Sequence, residues 1–237
     1  MLELVVLPPA FGLRNVSPFC LKAELLMTSL ELEFASSSLQ DPRKAPKGKL
    51  PFLETDGGRI ADSELITLYL DELTGGAVFA GLTQAQKAQG IALTRLVEEH
   101  LYWIMVASRW LDDEWFPNVS RDFFGFIPAL IRPLVAGSAR RQVRQTYKLQ
   151  GLGRHTMEEQ KNFARRDLEA LDAAVGESGF LYGDKPGIFD FTVTGLMATV
   201  YDQQPHTWFN PLTEGYDNLK RHTADVQDAV GVFARHT

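Results

Sequence analysis

The feature that most constrains the fold is a helix start placed just behind an apolar strand near the N-terminus. Residues 2–8 form an apolar run that predicts a strand, and residues 10–14 follow as a loop. The Ser17 hydroxyl can accept a hydrogen bond from a free N–H of the next helix, and Pro18 suits its first position. Cys20 falls in the same turn. A hydroxyl and a thiol are thus predicted at the positive end of a helix dipole, where anions and thiolates are stabilised.

The first third of the chain alternates predicted strands with predicted helices. Residues 31–34 alternate polar and apolar side chains and predict a second strand, and residues 36–49 follow as a polar connecting segment. Residues 50–55 predict a third strand. A fourth is predicted at residues 59–61, because Asp56-Gly57-Gly58 has the chemistry of a hairpin turn.

Helical patterns account for the remainder of the chain. After the fourth strand, a second helix begins at residues 62–64 and ends at the glycine pair 75–76. Beyond it, periodicity predicts helices at residues 84–112, 138–148, 157–175, 189–203 and 216–233, with a proline-broken, irregular stretch at residues 117–135. The fold class is therefore α/β followed by all-α, with an α/β domain over residues 1–76 and an all-helical domain over residues 83–237.

Charge and composition narrow the partners. The chain has 24 basic and 30 acidic residues, a formal net charge of −6, which disfavours nucleic acid and an anionic membrane surface as partners. Arg140, Arg141 and Arg144 form the one basic cluster and are interpreted as a solvated helix face. We therefore expect no nucleic-acid partner and no membrane partner.

The cysteine and histidine residues give no indication of a metal site, and the N-terminus gives no indication of secretion. A single cysteine, Cys20, excludes an internal disulfide and a cysteine-built metal site. His100 and His155 have no second ligand at metal-site spacing, so we expect no metal. The chain starts directly with a strand pattern and shows no secretory signal, and a reducing compartment is the default. We expect a cytoplasmic protein.

Seven short motifs keep a fixed order along nearly the whole chain. They are Pro8-Pro9-Ala10-Phe11-Gly12, Ser17-Pro18-Phe19-Cys20-Leu21-Lys22, Lys47-Gly48-Lys49-Leu50-Pro51-Phe52, Ile60-Ala61-Asp62-Ser63, Glu99-His100-Leu101-Tyr102-Trp103, Gly151-Leu152-Gly153-Arg154-His155 and Phe180-Leu181-Tyr182-Gly183-Asp184-Lys185-Pro186. In this order they resemble the cytosolic glutathione transferase superfamily, in particular its metaxin-like and failed-axon-connections-like branch. The resemblance implies a thioredoxin-like, glutathione-binding domain followed by an all-helical domain, with glutathione as co-substrate.

The resemblance implies a catalytic role for Ser17. In the serine-type transferases, the matching hydroxyl donates a hydrogen bond to the glutathione sulfur. A free thiol has a pKa of about 8.5, and lowering it by ~2 units needs roughly 2.7 kcal/mol of thiolate stabilisation. One charge-assisted hydrogen bond at a helix N-terminus is of that size. The alternative is that Ser17 is a plain N-cap.

The resemblance also implies which residues hold glutathione. Leu50, followed by Pro51, would pair its backbone with the cysteinyl part of the tripeptide like an added strand. Ser63 would bind the γ-glutamyl carboxylate and Asp62 the ammonium group. Lys49 would pair with the glycyl carboxylate, and a solvated loop lysine is the alternative. Pro51 resembles the cis-proline of thioredoxin-like folds, although the sequence does not reveal its isomer.

A second, apolar substrate is expected beside Ser17. Phe11 lies in the neighbouring loop, and the long helix where this superfamily builds its hydrophobic pocket carries Tyr102, Met105, Arg109 and Trp110. An aromatic stripe at helical spacing is also typical of a core. Cys20 takes the second position of a glutaredoxin-like motif, so buried packing is favoured and a redox role stays open.

Three functions follow from the resemblance. The leading one is a serine-type glutathione transferase that conjugates the thiolate to a small hydrophobic electrophile. The others are a non-catalytic interaction module and a glutathione-dependent peroxide or disulfide reductase acting through Cys20. A homodimer is expected, because this superfamily commonly pairs the two domain types across subunits.

The sequence departs from the family pattern at one helix cap. Gly187 stands where a Ser or Thr usually caps the buried helix, leaving Asp190 to complete a weakened cap.

Overall fold

The computed structural model describes residues 1–236, and Thr237 lies outside them. Four strands are formed: β1 (Leu2–Val6), β2 (Phe34–Ser38), β3 (Phe52–Thr55) and β4 (Gly58–Ala61). The helices are α1 (Pro18–Ser29), α2 (Ser63–Leu73), α3 (Gln84–Arg95), α4 (Tyr102–Trp110), α5 (Phe116–Phe124), α6 (Arg132–Gln150), α7 (Met157–Ala174), α8 (Ile188–Tyr201) and α9 (Asp217–Val230). A mixed α/β region thus precedes a helical one, as the sequence predicts.

The four strands form one sheet in the order β2-β1-β3-β4. β1 and β2 are parallel and are joined through α1, whereas β3 lies antiparallel to β1 and to β4. β3 and β4 form the predicted hairpin, in which Thr55 pairs with Gly58 across Asp56 and Gly57. This arrangement brings the start of α1, the start of β3 and the end of β4 to neighbouring positions.

The second strand was predicted in the wrong place. Residues 31–33 do not belong to it, because the first of them close α1: the Leu32 N–H donates to the Met27 carbonyl at 3.2 Å, and Glu31 has a φ of 55°. Pairing with β1 instead runs from Phe34 through the serines to Ser38. These serines lie on an exposed edge strand, where polar side chains are tolerated. Their polarity was therefore misinterpreted as that of a connecting segment.

Helices α3 and α4 join into one long element, as predicted for residues 84–112. Between them, residues Leu96–Leu101 widen into π-helical turns. The prediction for residues 117–135 was wrong in part, because Pro117 and Pro133 occupy first-turn positions and start α5 and α6. α6 is correspondingly longer than the predicted 138–148 helix.

Helix α8 is the centre of the molecule, buried along nearly its whole length and packed against α1 and α9. Helices α1 and α8 approach so closely that a Cβ added at Gly195 would lie 2.6 Å from the Pro18 carbonyl oxygen. Asp190 caps the helix as predicted, accepting from the Gly187 N–H at 2.9 Å. It also accepts from the Leu181 N–H and faces His222 Nε2, both at 2.8 Å.

Candidate active site

The first turn of α1 presents the Ser17 hydroxyl to a cavity. Ser17 is the N-cap, with extended backbone, and its Oγ accepts from the Cys20 N–H at 3.4 Å, a long hydrogen bond. Pro18 is the first helical residue, and the first turn carries no acidic side chain. The positive end of α1 is therefore not neutralised by the protein itself, which favours an anion beside Ser17.

Cys20 faces away from that cavity. Its side chain is fully buried and packs with Val5, Leu50, Phe52 and Ala61. Burial raises the pKa of the Cys20 thiol to about 12, although hydrogen bonds from Ser17 and the Leu7 backbone act in the opposite direction. At neutral pH the thiol is therefore protonated and shielded, and the reductase hypothesis loses its nucleophile. The packing also holds the first turn of α1 against the start of β3 and the end of β4.

The predicted glutathione-binding residues lie in two adjoining turns. The Leu50–Pro51 peptide bond is cis, and Leu50 precedes the sheet ladder, which begins at Phe52. The Asp62 N–H donates to the Pro51 carbonyl at 3.4 Å, joining the β3 start to the α2 start. Lys49 is exposed at the outer end of this turn.

Asp62 and Ser63 form the N-terminus of α2. Asp62 has a φ of 103°, an uncommon value for a residue with a side chain, and its carboxylate accepts from the Glu64 N–H at 2.9 Å. Ser63 is the first helical residue and is 5% exposed, and its carbonyl accepts from the Thr67 hydroxyl. The side chains are thus ordered at a helix N-terminus, the setting in which a carboxylate ligand is stabilised.

A cavity of about 560 Å³ opens beside Ser17 and lies between the two regions of the chain. Of the predicted pocket residues, four line it: Tyr102, Met105, Arg109 and Trp110. Phe11 does not: it is 1% exposed, and its ring packs against Trp115 and Phe123, each with ring centroids 4.8 Å apart. The expectation for Phe11 is therefore corrected, because it supports the wall from behind.

Much of the apolar wall comes from residues that the sequence did not identify. These are Phe123, Phe124, Phe126, Ile127, Val135 and Val143. All belong to α5, α6 and the turn between them, and most lie in the stretch that its prolines had marked as irregular. The aromatic cluster at residues 123–126 was the available signal, but only the packing of α5 against α6 directs it at the cavity.

Arg109 gives this apolar cavity one charged wall. The side chain is 4% exposed and donates to Gln203 Oε1 at 2.7 Å, to the Thr199 carbonyl at 3.0 Å and to the Val16 carbonyl at 3.5 Å. Among residues 1–236, no carboxylate pairs with it. Burial lowers the pKa of Arg109 to about 9, and burial likewise raises the pKa of Tyr102 beside it. The guanidinium is thus a buried cation that contacts the backbone of the residue just before Ser17.

A buried ion pair fixes α1 under the helical region. Lys22 Nζ lies 2.7 Å from Glu98 Oε1, and both side chains are at most one-tenth exposed. Burial raises the pKa of Glu98, and the charge of Lys22 opposes that shift. Glu98 lies in the π-helical turns, so this irregularity delivers a carboxylate to the helix that carries Ser17.

The basic cluster on α6 is not a uniform solvated face. Arg140 turns inward, donates to the carbonyls of Trp110 and Leu111 and stacks 4.4 Å from the Phe116 ring centroid. Arg141 and Arg144 are exposed, as expected. Within residues 1–236, no group of three or more His, Cys, Asp or Glu side chains is arranged to hold a metal ion. No helix there has the length and apolar character needed to cross a membrane.

Two family models match the chain. The glutathione S-transferase N-terminal domain matches residues 18–115, and the glutathione S-transferase C-terminal domain matches residues 164–226. Isoprene-epoxide glutathione S-transferase from a Rhodococcus strain is 29% identical over 94% of both chains. Failed axon connections from Drosophila melanogaster is 26% identical over 91% of this chain and 54% of its own length.

Two further similarities are more distant. Metaxin-1 from Macaca fascicularis is 26% identical over 68% of this chain, which corresponds to 53% of that protein. The fold matches the crystal structure of a glutathione S-transferase from Methylobacterium radiotolerans in complex with glutathione sulfonate. That match has a TM-score of 0.63 and 14% identity and covers all of this chain and 97% of the other.

Proposed function

Because the chain belongs to the glutathione S-transferase family, we propose that it is a serine-type glutathione transferase in which Ser17 activates the thiol. The observation that carries this proposal is the placement of Ser17, a helix N-cap with no acidic neighbour in its first turn, on the wall of a large apolar cavity. The hydroxyl donates to the glutathione sulfur, and the helix dipole adds to the thiolate stabilisation.

Glutathione occupies the two adjoining turns beside Ser17. Leu50 pairs its backbone with the cysteinyl unit, and Pro51 holds that backbone in place. Ser63 and the first N–H groups of α2 bind the γ-glutamyl carboxylate, Asp62 binds the ammonium group, and Lys49 binds the glycyl carboxylate. Residues 1–76 form the glutathione-binding domain, and residues 83–237 supply most of the second-substrate cavity.

The second substrate is a small apolar electrophile, and we assign it to the epoxides. The isoprene-epoxide transferase from Rhodococcus, by its name, acts on an epoxide. In such a reaction the thiolate forms the sulfur–carbon bond and one ring carbon–oxygen bond breaks. The oxygen stays bound to the neighbouring carbon as an alkoxide, which takes a proton from water or from Tyr102, itself then reprotonated by water. Tyr102 and the Arg109 cation face the cavity that this oxygen enters, whereas Met105 contributes apolar surface.

The proposal includes the setting in which the enzyme works. It acts in the cytoplasm as a homodimer, without a metal. The competing hypothesis is a non-catalytic interaction module, which the metaxin-1 similarity favours. That module has no need of bound glutathione, so glutathione binding separates the two hypotheses.

Calorimetry with glutathione, followed by a pH titration of the thiolate ultraviolet absorbance, tests the proposal. We expect binding, with a bound-thiol pKa ~2 units below the free value of about 8.5. Ser63→Ala should weaken binding. As a control, Ser29→Ala should leave glutathione binding unchanged, because Ser29 is an exposed serine at the end of α1 opposite Ser17. Absence of binding by the folded wild-type chain would overturn the proposal in favour of the interaction module.

A further inference from the structure

An exposed apolar cluster lies at the turn between α5 and α6. Phe126 is 57% exposed, Leu130 90%, Ile131 47% and Leu134 74%. These four side chains, here named the apolar tip, lie within nine positions of the chain. Several large apolar side chains held this far into water in one short segment indicate an interaction surface.

The charge of the surrounding segment is opposite to that of the whole protein. Residues 123–150 contain five arginines and lysines and no aspartate or glutamate, in a chain with a net charge of −6. Arg141, Arg144 and Lys148 are exposed, and none of them has an ion-pair partner among residues 1–236. Leu134, Arg141 and Lys148 are spaced seven residues apart, so they share one face of α6. The apolar tip thus continues into a basic stripe.

A second basic loop lies across the mouth of the cavity. Residues 40–49 carry Arg43, Lys44, Lys47 and Lys49, all exposed, with Asp41 as the single acidic residue. Arg43 and Gly48 line the cavity on this side, and Phe126 and Val135 line it on the other. Apolar and basic side chains therefore surround the opening through which a second substrate enters.

We propose that the apolar tip docks this protein on an anionic lipid bilayer. Apolar side chains enter the interfacial layer while Arg141, Arg144 and Lys148 contact lipid phosphates. The net charge of −6 argues against an anionic surface only on average, because the basic residues are concentrated at this end. Leu130 is 90% exposed and Leu134 74%, so these side chains can enter a lipid layer without a rearrangement of the fold.

Docking of this kind has a consequence for the enzyme. The cavity mouth comes to face the bilayer, in which apolar electrophiles concentrate. Only this consequence depends on the proposed transferase function, and the docking itself does not. Failure of one proposal is therefore distinguishable from failure of the other.

Vesicle flotation with the full chain tests the docking. Vesicles of phosphatidylcholine with about one-third phosphatidylserine are compared with vesicles of phosphatidylcholine alone, at low and high salt. We expect binding to the anionic vesicles only, weakened by salt. Leu130→Ser with Leu134→Ser should reduce the partition coefficient by about tenfold or more. Arg141→Gln should reduce it by about fivefold, since each basic side chain near such a surface contributes a factor of that size.

A matched control replaces two exposed leucines that lie next to acidic residues along the chain and not next to basic ones. Leu65 and Leu68 are 43% and 52% exposed on α2, close to Glu64 and Asp71. Leu65→Ser with Leu68→Ser should leave vesicle binding unchanged. Absence of binding to either vesicle, or equal binding by the tip and control variants, would overturn the proposal. Vesicle-independent assembly of the wild type that the tip substitutions dissociate, seen by light scattering, would overturn it in favour of a protein interface.

Discussion

Helices α1 and α8 pack against each other, yet their N-terminal turns are completed in opposite ways. At the start of α1, the cap is a serine whose hydroxyl makes one long hydrogen bond, and the first turn contains no acidic residue. At the start of α8, the cap residue is a glycine, and Asp190 takes over its function with three polar partners. One helix end is left open to a ligand, and the other is saturated by the protein.

This difference separates chemistry from folding. A helix N-terminus behaves like about half a positive charge, and a carboxylate placed on it cancels that field. Asp190 does so at α8, where the helix is enclosed by protein and no ligand can approach. A carboxylate in the first turn of α1 would repel a thiolate, and its absence leaves the field available to the glutathione sulfur that we propose binds there.

Asp190→Ala should lower the free energy of unfolding by about 3–5 kcal/mol, because it leaves the Gly187 and Leu181 N–H groups and the buried His222 without their acceptor. This exceeds the 1–3 kcal/mol typical of losing one satisfied buried group. Urea unfolding gives the measurement. Asp184→Ala, at an exposed carboxylate in the preceding loop, is the control and should be near neutral. A small loss at Asp190 would mean that α8 needs no such cap.

Ser17→Ala should lower catalytic activity strongly and stability little, the reverse of what is expected for Asp190→Ala. We expect kcat for conjugation to fall roughly 100-fold, equivalent to the ~2.7 kcal/mol of thiolate stabilisation, and the pKa of bound glutathione to rise. Stability should change little, because the cap hydrogen bond is long, at 3.4 Å. Glutathione affinity should persist through Leu50, Asp62 and Ser63. Steady-state kinetics with Ser29→Ala as the matched control provide the measurement.

The opposite pattern would move the chemistry elsewhere. If Ser17→Ala conjugates at the wild-type rate while a substitution at Cys20 abolishes conjugation, the thiol and not the hydroxyl carries the reaction. The geometry of α1 would then have to be reconsidered, because Cys20 is fully buried in its present position.

The two helix starts also show what a sequence can predict. The Ser17 cap, the Asp62 helix start and the Asp190 cap depend on neighbours within three residues, and local chemistry is sufficient to identify them. His222 was missed as a partner of Asp190 because 32 residues separate the two in the chain. Local reasoning finds caps, whereas the contacts that make one cap structural and another available are tertiary.

The same limit explains why β2 and Phe11 were misplaced. The edge strand Phe34–Ser38 is identified only by its pairing with β1, because its serines lack the apolar alternation of a half-buried strand. Phe11 lies near Ser17 in the chain, but its ring packs against Trp115 and Phe123, more than a hundred residues away. Proximity in sequence predicted a cavity residue, and packing turned the ring to the other side of the wall.

Gly195→Ala tests the contact between α1 and α8 directly. The added methyl would lie 2.6 Å from the Pro18 carbonyl, so the first turn of α1 must shift. We expect a loss of about 1–3 kcal/mol in stability, the usual cost of overpacking, together with a lower kcat. Gly137→Ala, at a glycine on α6 with nothing within 4 Å of its Cβ position, is the control and should be neutral or slightly stabilising. A fully active Gly195→Ala would show that Ser17 tolerates displacement.

The smallest effect is expected at Cys20. Cys20→Ser should leave conjugation nearly unchanged, because this side chain lies in the apolar cluster below the site and not on the cavity wall. Its titration still affects stability. The folded-state pKa is about 12 against an ordinary value of 9.0, so the unfolded chain loses this proton first as the pH rises. Wild-type stability should therefore decline above about pH 9, by about 1 kcal/mol at pH 10, and the serine variant should lack this component. Urea unfolding of both proteins at pH 8 and pH 10 measures the difference; parallel declines would place the Cys20 thiol in contact with solvent and reopen its redox role.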